Sequence, residues 1–368
     1  MNLRGRIFLN DNTRHEHQRG IARYFAKVAE ALLEQFGPRI IVCSALDRDY
    51  RPARHLNPDR QRLLRLFLRR AAIRSWMARW TRPALVFSPN YGFIRTRAPQ
   101  IFTIHDLIPE RVPEKRDEAF IRERRACVDN GAALIAISQA TARDLRAFYP
   151  QVRPEKIHVI YHGVDEFFFQ RATPVAAQKP YFLYVGHRAS YKNFLRLLVA
   201  FGRSGLAPAC DLRVAGPVND PFTAQEDAEL DRYSLRQSVH LITNADEFQL
   251  RQLYAGAMAF VYPSELEGFG LPLLEAMASG TLVAAARTSV LPEVGGDAPF
   301  YFDPQDADAI ASCLVEVARL PAGHRAERIA RGVARARLFT WEQCQRQTVA
   351  VFLGLLGEAP LPVTSAAF

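Results

Sequence analysis

The chain has 368 residues, a length that suits two domains of ordinary size, each with a full core. Its 49% hydrophobic and 23% charged residues are those of a soluble globular protein. No run of eighteen apolar residues suggests a membrane span, and the start, M-N-L-R-G-R-I-F-L-N-D, has too short an apolar stretch for a signal peptide. The net charge of +10 is uneven: residues 1–165 hold 30 Lys+Arg against 17 Asp+Glu, and residues 166–368 hold 18 against 21. A basic first half points to an anionic partner such as nucleic acid, an anionic membrane face or a phosphorylated acceptor. Cys43, Cys127, Cys210, Cys313 and Cys344 are scattered without a C-x-x-C, which fits reduced thiols in a cytoplasm and no structural zinc.

In chain order, Arg6–Leu9 reads as a strand, followed by a polar stretch with His15, His17 and Gly20. Ile21–Gln35 has helical spacing and stops at Gly37-Pro38. Gly20 is then placed between a strand and a helix N-terminus, where it either faces a phosphate or makes a plain turn. Ile40–Cys43 is a second strand. Residues 60–82 contain eight arginines and no acid, with Leu64, Phe67, Leu68 and Ala71 on one side. This reads as a basic amphipathic helix, either a membrane-surface or acceptor-phosphate contact or a helix packed on its own sheet.

Leu85–Phe87 and Gln100–Ile104 read as strands, the second running into His105-Asp106-Leu107. A histidine at the carboxyl end of a strand lies where α/β sheets bind ligands. Lys115–Asp129 reads as helical and Ala133–Ile137 as a strand. Ser138 caps a helix over Ala140–Phe148, and Ile157–Ile160 is the last strand of the first half. Prolines 150, 154, 174 and 180 mark a boundary, with a linker around 166–179. The second half restarts the alternation, with strands at Tyr181–Val185, Asp211–Ala215, Val239–Ile242, Ala259–Tyr262, Leu282–Ala286 and Pro299–Phe302. Trp341–Leu356 reads as a closing helix and the tail as disordered. The expected fold class is α/β: two doubly wound parallel sheets, residues 1–165 and 166–340, then a helix over 341–357 and a tail over 358–368.

The chemistry concentrates in S-E-L-E-G-F-G-L-P-L-L-E-A-M-A-S-G, residues 264–280. A strand precedes it, Gly268 and Gly270 make the loop, Pro272 opens a helix and Gly280 ends it. Strand, glycine loop and helix present free N–H groups to a phosphate. Glu267 lies in the loop, and Glu275 is expected in the helix's first turn, where a carboxylate is tolerated and can accept hydrogen bonds from hydroxyls. A phosphorylated, hydroxyl-rich ligand fits. Arg188 and Lys192 lie in G-H-R-A-S-Y-K-N after the strand Tyr181–Val185 and could hold a diphosphate without a metal. Asp47-Arg48-Asp49 and Asp306-Ala307-Asp308 have a D-x-D spacing, but the pattern is short and the second pair suits a helix cap. No G-x-G-x-x-G supports a dinucleotide cofactor, no H-x-x-x-H helix pair suggests zinc, and no nucleic-acid-binding motif accompanies the positive charge.

The chain resembles the retaining glycosyltransferases of family 4, with the GT-B fold. The resemblance rests on E-G-F-G-L-P-L-L-E-A-M-A-S-G and L-P-E-V-G-G at 291–296. It is supported by R-G-I-A-R-Y, T-I-H-D-L, A-I-S-Q-A-T, H-G-V-D, Y-V-G-H-R-A-S-Y-K-N and F-T-W-E. It implies two domains facing a cleft, a closing helix that crosses back to the first domain, and no metal or other cofactor. The donor would be a sugar nucleotide and the acceptor a glycan or lipid-linked glycan. Glu275 would bind the ribose and Glu267 the transferred sugar. Gly268, Phe269, Gly270 and Leu271 would line the sugar and phosphate. Arg188 and Lys192 would stabilise the leaving diphosphate, His105 would contact the sugar and Gly20 would approach the diphosphate. Many relatives carry Arg-Lys before Asn, whereas Tyr191 precedes Lys192 here. The motifs look like those of mannosyltransferases of O-antigen or exopolysaccharide assembly, which implies GDP-mannose. UDP- and dTDP-sugars and a silent sugar-nucleotide-binding subunit stay open. The implied place is the cytoplasm, peripheral to the inner face of the plasma membrane.

Overall fold

A computed structural model describes residues 5–11, 19–44, 66–67, 82–112, 114, 116–188, 190–217 and 220–359. The chain divides into two units. Unit 1 is Met1–Gly163 with Trp341–Phe368, and unit 2 is Val164–Thr340.

Unit 1 is built on β1 (Ile7–Asp11), β2 (Ile40–Ser44), β3 (Leu66–Phe67), β4 (Leu85–Ser88), β5 (Gln100–Ile104), β6 (Ala133–Ala136) and β7 (Ile157–Val159). These pair in parallel in the order β3-β2-β1-β4-β5-β6-β7. Successive side chains on a strand point to opposite faces. Ile7, Leu9, Leu85, Phe87 and Ile101 therefore join one core cluster, while Phe8, Val86, Phe102 and Ile104 join clusters on the other side. A sheet covered on both faces explains why its strands read as near-continuous apolar runs.

On the first face lie α1 (Arg19–Phe36) and the last helix, α12 (Trp341–Leu356). Trp341, Cys344, Val351, Phe352 and Leu353 are buried there with Tyr24, Val28 and Leu32 of α1. The ring of Phe352 lies 5.3 Å from that of Phe87 and 6.1 Å from that of Phe36. The closing helix is thus part of the first unit's core. The opposite face carries α3 (Glu118–Asn130) and α4 (Gln139–Phe148), the latter capped by Ser138, whose Oγ accepts from Thr141 N at 2.9 Å. A short helix, α2 (Ile108–Arg111), follows β5.

Unit 2 contains β8 (Tyr181–Val185), α5 (Phe194–Arg203), β9 (Asp211–Gly216), α6 (Ala224–Arg232), β10 (Val239–Thr243), α7 (Glu247–Gly256) and β11 (Ala259–Tyr262). It continues through α8 (Leu271–Ala278), β12 (Val283–Ala286), α9 (Leu291–Gly295), β13 (Phe300–Phe302), α10 (Ala307–Ala318) and α11 (Ala322–Ala336). Its six strands are parallel in the order β10-β9-β8-β11-β12-β13. Each unit is the doubly wound sheet expected.

Three expectations need correction. Helix α1 begins at Arg19, so Gly20 is its second residue and not a loop residue ahead of it. Leu66 and Phe67 form an edge strand paired to Cys43 and Ser44 of β2, within the stretch where an amphipathic helix is expected. Helix α8 begins at Leu271 with Pro272 second, which moves Glu275 out of the first turn into the second. Proline fits anywhere in a first turn because those N–H groups lack intrahelical partners. Apart from Leu66, Phe67 and Arg82, the basic stretch 60–82 lies outside the described residues. So do His15, His17, the Asp47-Arg48-Asp49 triplet, Lys115 and the tail from 360. No helix among the described residues is long and apolar enough to cross a membrane.

Candidate active site

The strand order of unit 2 reverses between β8 and β11, and open α/β sheets bind ligands beyond the carboxyl ends of the strands at such a switch point. The segments that leave these two ends are residues 186–193 and 263–270. The first ends at Asn193, a left-handed residue with φ 60°. Its amide nitrogen donates to Pro263 O at 3.1 Å and Pro304 O at 2.7 Å, and its amide oxygen accepts from Arg196 at 2.8 Å. Asn tolerates this backbone region and supplies both donor and acceptor. The two segments are also joined by Glu265 N donating to Tyr191 O at 2.8 Å.

This anchoring brings Lys192 to Glu267, 75 positions away. Nζ lies 2.7 Å from Oε1, with the side chains 18% and 9% exposed. The hydroxyl of Tyr262, at the end of β11, is hydrogen-bonded to the same carboxylate. Burial first, then the nearby Glu267 charge, drives the Tyr262 pKa well up, so it remains a neutral donor. Ser289, after β12, holds the main chain of Glu267: its hydroxyl accepts from Glu267 N at 3.3 Å and donates to Glu267 O at 3.0 Å. Phe269 is buried against Phe339, with ring centroids 5.9 Å apart. Gly270 has φ 92°, and a Cβ on it would come 3.1 Å from Leu291 Cδ2, so glycine is needed here for both backbone and space. Leu271 then starts α8 and brings its N–H to this loop, while Pro272 has none and Leu273 N donates to Gly270 O at 3.0 Å. Glu275 is buried and accepts from Tyr254 OH at 3.4 Å.

Arg188 does not stand open beside Lys192. Its Nε donates to both oxygens of Glu226 at 3.2 and 3.3 Å, and Nη2 donates to Asp220 O and Pro221 O at 2.7 and 2.5 Å. Nη1 lies 3.2 Å from Asp220 Oδ2, and the side chain is only 3% exposed. The residues that shape this site without being singled out from sequence are Asn193, Tyr262 and Ser289. Their only sequence signal is a position at or near the end of a strand or a motif.

In unit 1 the order reverses between β1 and β4, and His105 follows β5, the next strand along. Its Nε2 lies 2.6 Å from Pro89 O. A carbonyl only accepts, so Nε2 carries the proton and Nδ1 is the acceptor of a neutral ring. His105 packs edge-on to Tyr24 at 5.5 Å and lies 5.7 Å from His162, which in turn lies 5.7 Å from Trp341. Burial lowers the pKa of both histidines, and His105 lowers that of His162 further.

Because the unfolded imidazoles titrate near 6.5 and the folded ones below it, their stability contribution is complete above about pH 6.5 and declines as pH falls. The decline is at most about 1.4 kcal/mol per histidine per pH unit. Thermal melts at pH 7.5 and 5 should show this fall, and His162→Phe should flatten it. Equal pH slopes for both proteins would exclude the assignment.

Among the described residues, no group of three or more His, Cys, Asp or Glu side chains gathers where it could hold a metal ion.

A family model described as "Glycosyl transferases group 1" matches residues 165–332, and one described as "Glycosyltransferase Family 4" matches residues 18–166. The chain is 29% identical over 295 residues to O-antigen chain mannosyltransferase B of Escherichia coli, covering 75% of each protein. It is 27% identical over 283 residues to alpha-maltose-1-phosphate synthase of Mycolicibacterium smegmatis, covering 69% of this chain and 72% of that one. Among solved structures, sucrose-phosphate synthase of Thermosynechococcus elongatus superposes with a TM-score of 0.75 at 22% identity, over 96% of this chain and 99% of that one. This structural likeness concerns the fold, which is GT-B. With the two family models meeting end to end across both units, the chain belongs to the group 1 glycosyltransferases and resembles the O-antigen mannosyltransferases among them.

Proposed function

We propose that this glycosyltransferase moves mannose from GDP-mannose to a glycan or lipid-linked acceptor with retention of configuration and without a metal. The observation that carries the reading is the Lys192–Glu267 pair at the switch point of unit 2. In the reaction the bond between the anomeric carbon and the diphosphate oxygen breaks as the acceptor oxygen bonds to that carbon on the same face. The acceptor's proton passes to the departing phosphate oxygen. Negative charge grows on the diphosphate, where Lys192, the N–H groups of Gly270 and Leu271 and the positive end of the α8 dipole stabilise it. Glu267 holds sugar hydroxyls and Glu275 the ribose, so no protein nucleophile is required. In unit 1, His105 offers Nδ1 to a sugar hydroxyl, and Gly20, in the first turn of α1, remains the candidate for close approach to the diphosphate.

Mannose is favoured by the curated relatives, three of which carry mannosyltransferase names tied to O-antigen or to MMP. The +13 excess of residues 1–165 favours an acceptor with an anionic group, as in a lipid-linked glycan at a membrane face.

A thermal-shift screen of GDP-mannose, UDP-glucose and dTDP-rhamnose tests the donor, since a ligand that binds only the folded state raises the midpoint. GDP-mannose should give the largest shift, and GDP release should then require acceptor and persist in EDTA. A larger shift with UDP-glucose would replace the donor, and binding without turnover across an acceptor panel would support the silent-subunit reading. An inverted anomeric signal in the product NMR would overturn retention.

A further inference from the structure

We propose that Arg188 is a positioning residue: a buried guanidinium clamped between two carboxylates that fixes the segment carrying Lys192, and not itself a ligand of the diphosphate. The proposal rests on the reading of Lys192 given above.

Three observations carry it. First, each guanidinium nitrogen of Arg188 already faces an oxygen of Glu226, Asp220 or Pro221. Turning it to a ligand would break several charge-assisted hydrogen bonds and leave Glu226, 4% exposed, as a buried carboxylate without its cation.

Second, the local charge has the wrong sign for an anion site. One arginine between Asp220 and Glu226 sums to −1, and a diphosphate approaching this cluster is repelled.

Third, Glu226 has a second task. Its Oε2 accepts from Thr223 N at 2.7 Å while its own N–H donates to Thr223 Oγ1 at 3.2 Å, which is the reciprocal cap of α6. Arg188 thus ties the end of β8 to a rigid helix start across the segment after β9. Its guanidinium carbon lies 5.6 and 5.3 Å from the ring centres of Phe194 and Phe222, which stack with an interplanar angle of 9°. Residues 188–193 are therefore anchored at Arg188, at Tyr191 through its carbonyl, and at Asn193. The cation between these anchors is Lys192.

The two roles make opposite statements about Glu226. If Arg188 only positions, then Arg188→Met and Glu226→Gln disturb one structure. Each should lower kcat about 10–100-fold, as expected for a displaced catalytic group, with a smaller change in donor KM. The double variant should be no worse than the poorer single, a non-additivity diagnostic of one shared interaction. Asp220→Asn, on a more exposed partner, should give a weaker loss of the same kind, and Arg188→Lys a partial rescue. Binding of GDP and UDP by calorimetry is measured on the same set. The proposal is overturned if Glu226→Gln binds nucleoside diphosphate as tightly as the parent or tighter while Arg188→Met loses most of its affinity, or if the two losses add. It is equally overturned if none of the variants changes turnover.

Should Arg188→Met fail to fold, Asp220→Asn, Glu226→Gln and Arg188→Lys still discriminate. The control is Lys192→Ala: if that variant keeps full turnover, the site reading falls, whatever the Arg188 cycle shows.

Discussion

Replacing Lys192 by alanine is expected to lower kcat about 10²–10³-fold, the loss typical of one preorganised group facing a developing anion. That factor corresponds to about 2.7–4 kcal/mol of transition-state stabilisation. The effect belongs to kcat because the diphosphate gains charge as the glycosidic bond breaks, so the ammonium interacts more strongly with the transition state than with the bound donor. A structural contribution runs alongside it. Lys192 neutralises Glu267, whose carboxylate is 9% exposed and would keep the Tyr262 hydroxyl but lose its cation. Glu267→Gln separates the two: it keeps a hydrogen-bonding side chain beside Tyr262 and removes the charge, so folding should be retained and the loss of kcat should be smaller than for Lys192→Ala. Lys192→Arg should recover only part of the rate, since a planar fork cannot occupy the place of a compact ammonium. Steady-state kinetics with the preferred donor, with circular dichroism to check folding, decides it. Rates within twofold of the parent for both Lys192→Ala and Glu267→Gln would remove this site as the reaction centre.

The largest expected loss of stability lies in unit 1. Arg124, on α3, is fully buried, and its Nη1 lies 2.5 Å from Glu110 Oε2 with both side chains nearly inaccessible. Tyr149 OH donates to the other oxygen of Glu110 at 2.8 Å, and the guanidinium lies 4.4 Å over the ring of Tyr91 and 4.9 Å over that of Phe120. Arg124→Met preserves much of the volume but strands the Glu110 carboxylate. Breaking a buried pair from one side costs about 3–5 kcal/mol. In a unit of this size that is a fall of roughly 6–20 °C in the midpoint of thermal unfolding. Adding Glu110→Gln removes the stranded charge while keeping an acceptor for Tyr149, so the double variant should regain most of the loss. A double variant no more stable than Arg124→Met would show that packing, not charge, sets the effect. Activity should fall as well. Arg124 lies 3.7 Å from Asp106, which follows His105 and accepts from Ile108 N at 3.1 Å, and Tyr91 OH donates to the Asp106 carbonyl at 3.2 Å.

The strands were the most legible part of the chain. Sheets buried on both faces write themselves as unbroken apolar runs, and Gln100–Ile104, Tyr181–Val185 and Ala259–Tyr262 coincide with their sequence assignment. Helix starts were less legible: Arg19 and Leu271 open helices one or two residues before the periodic pattern, and both Gly20 and Glu275 change place as a result. At the site, Lys192 and Glu267 could be named from sequence. Their contact could not, because it depends on β8 lying beside β11 in the sheet, a fact of topology carried by no local signal. Arg188 shows the same limit. Four residues before Lys192 in sequence, it reads as a partner cation, and nothing local signals that in the fold its guanidinium meets the carboxylates of Glu226 and Asp220, 38 and 32 residues downstream. Tyr262 and Ser289 have no periodicity or motif of their own and become visible only by what they touch.

The closing helix has a consequence for how the protein is made. Unit 2 is one continuous stretch, Val164–Thr340, whereas unit 1 needs residues from both ends of the chain. At about 5–20 residues per second, synthesis of unit 2 separates the bulk of unit 1 from its last helix by about 10–35 s. Through that interval Val28, Leu32, Phe36 and Phe87 lack the cover of Phe352 and its neighbours. The domain that starts first on the ribosome is therefore the one that finishes last, and a nascent chain that stops before Trp341 leaves an apolar face for chaperones to hold.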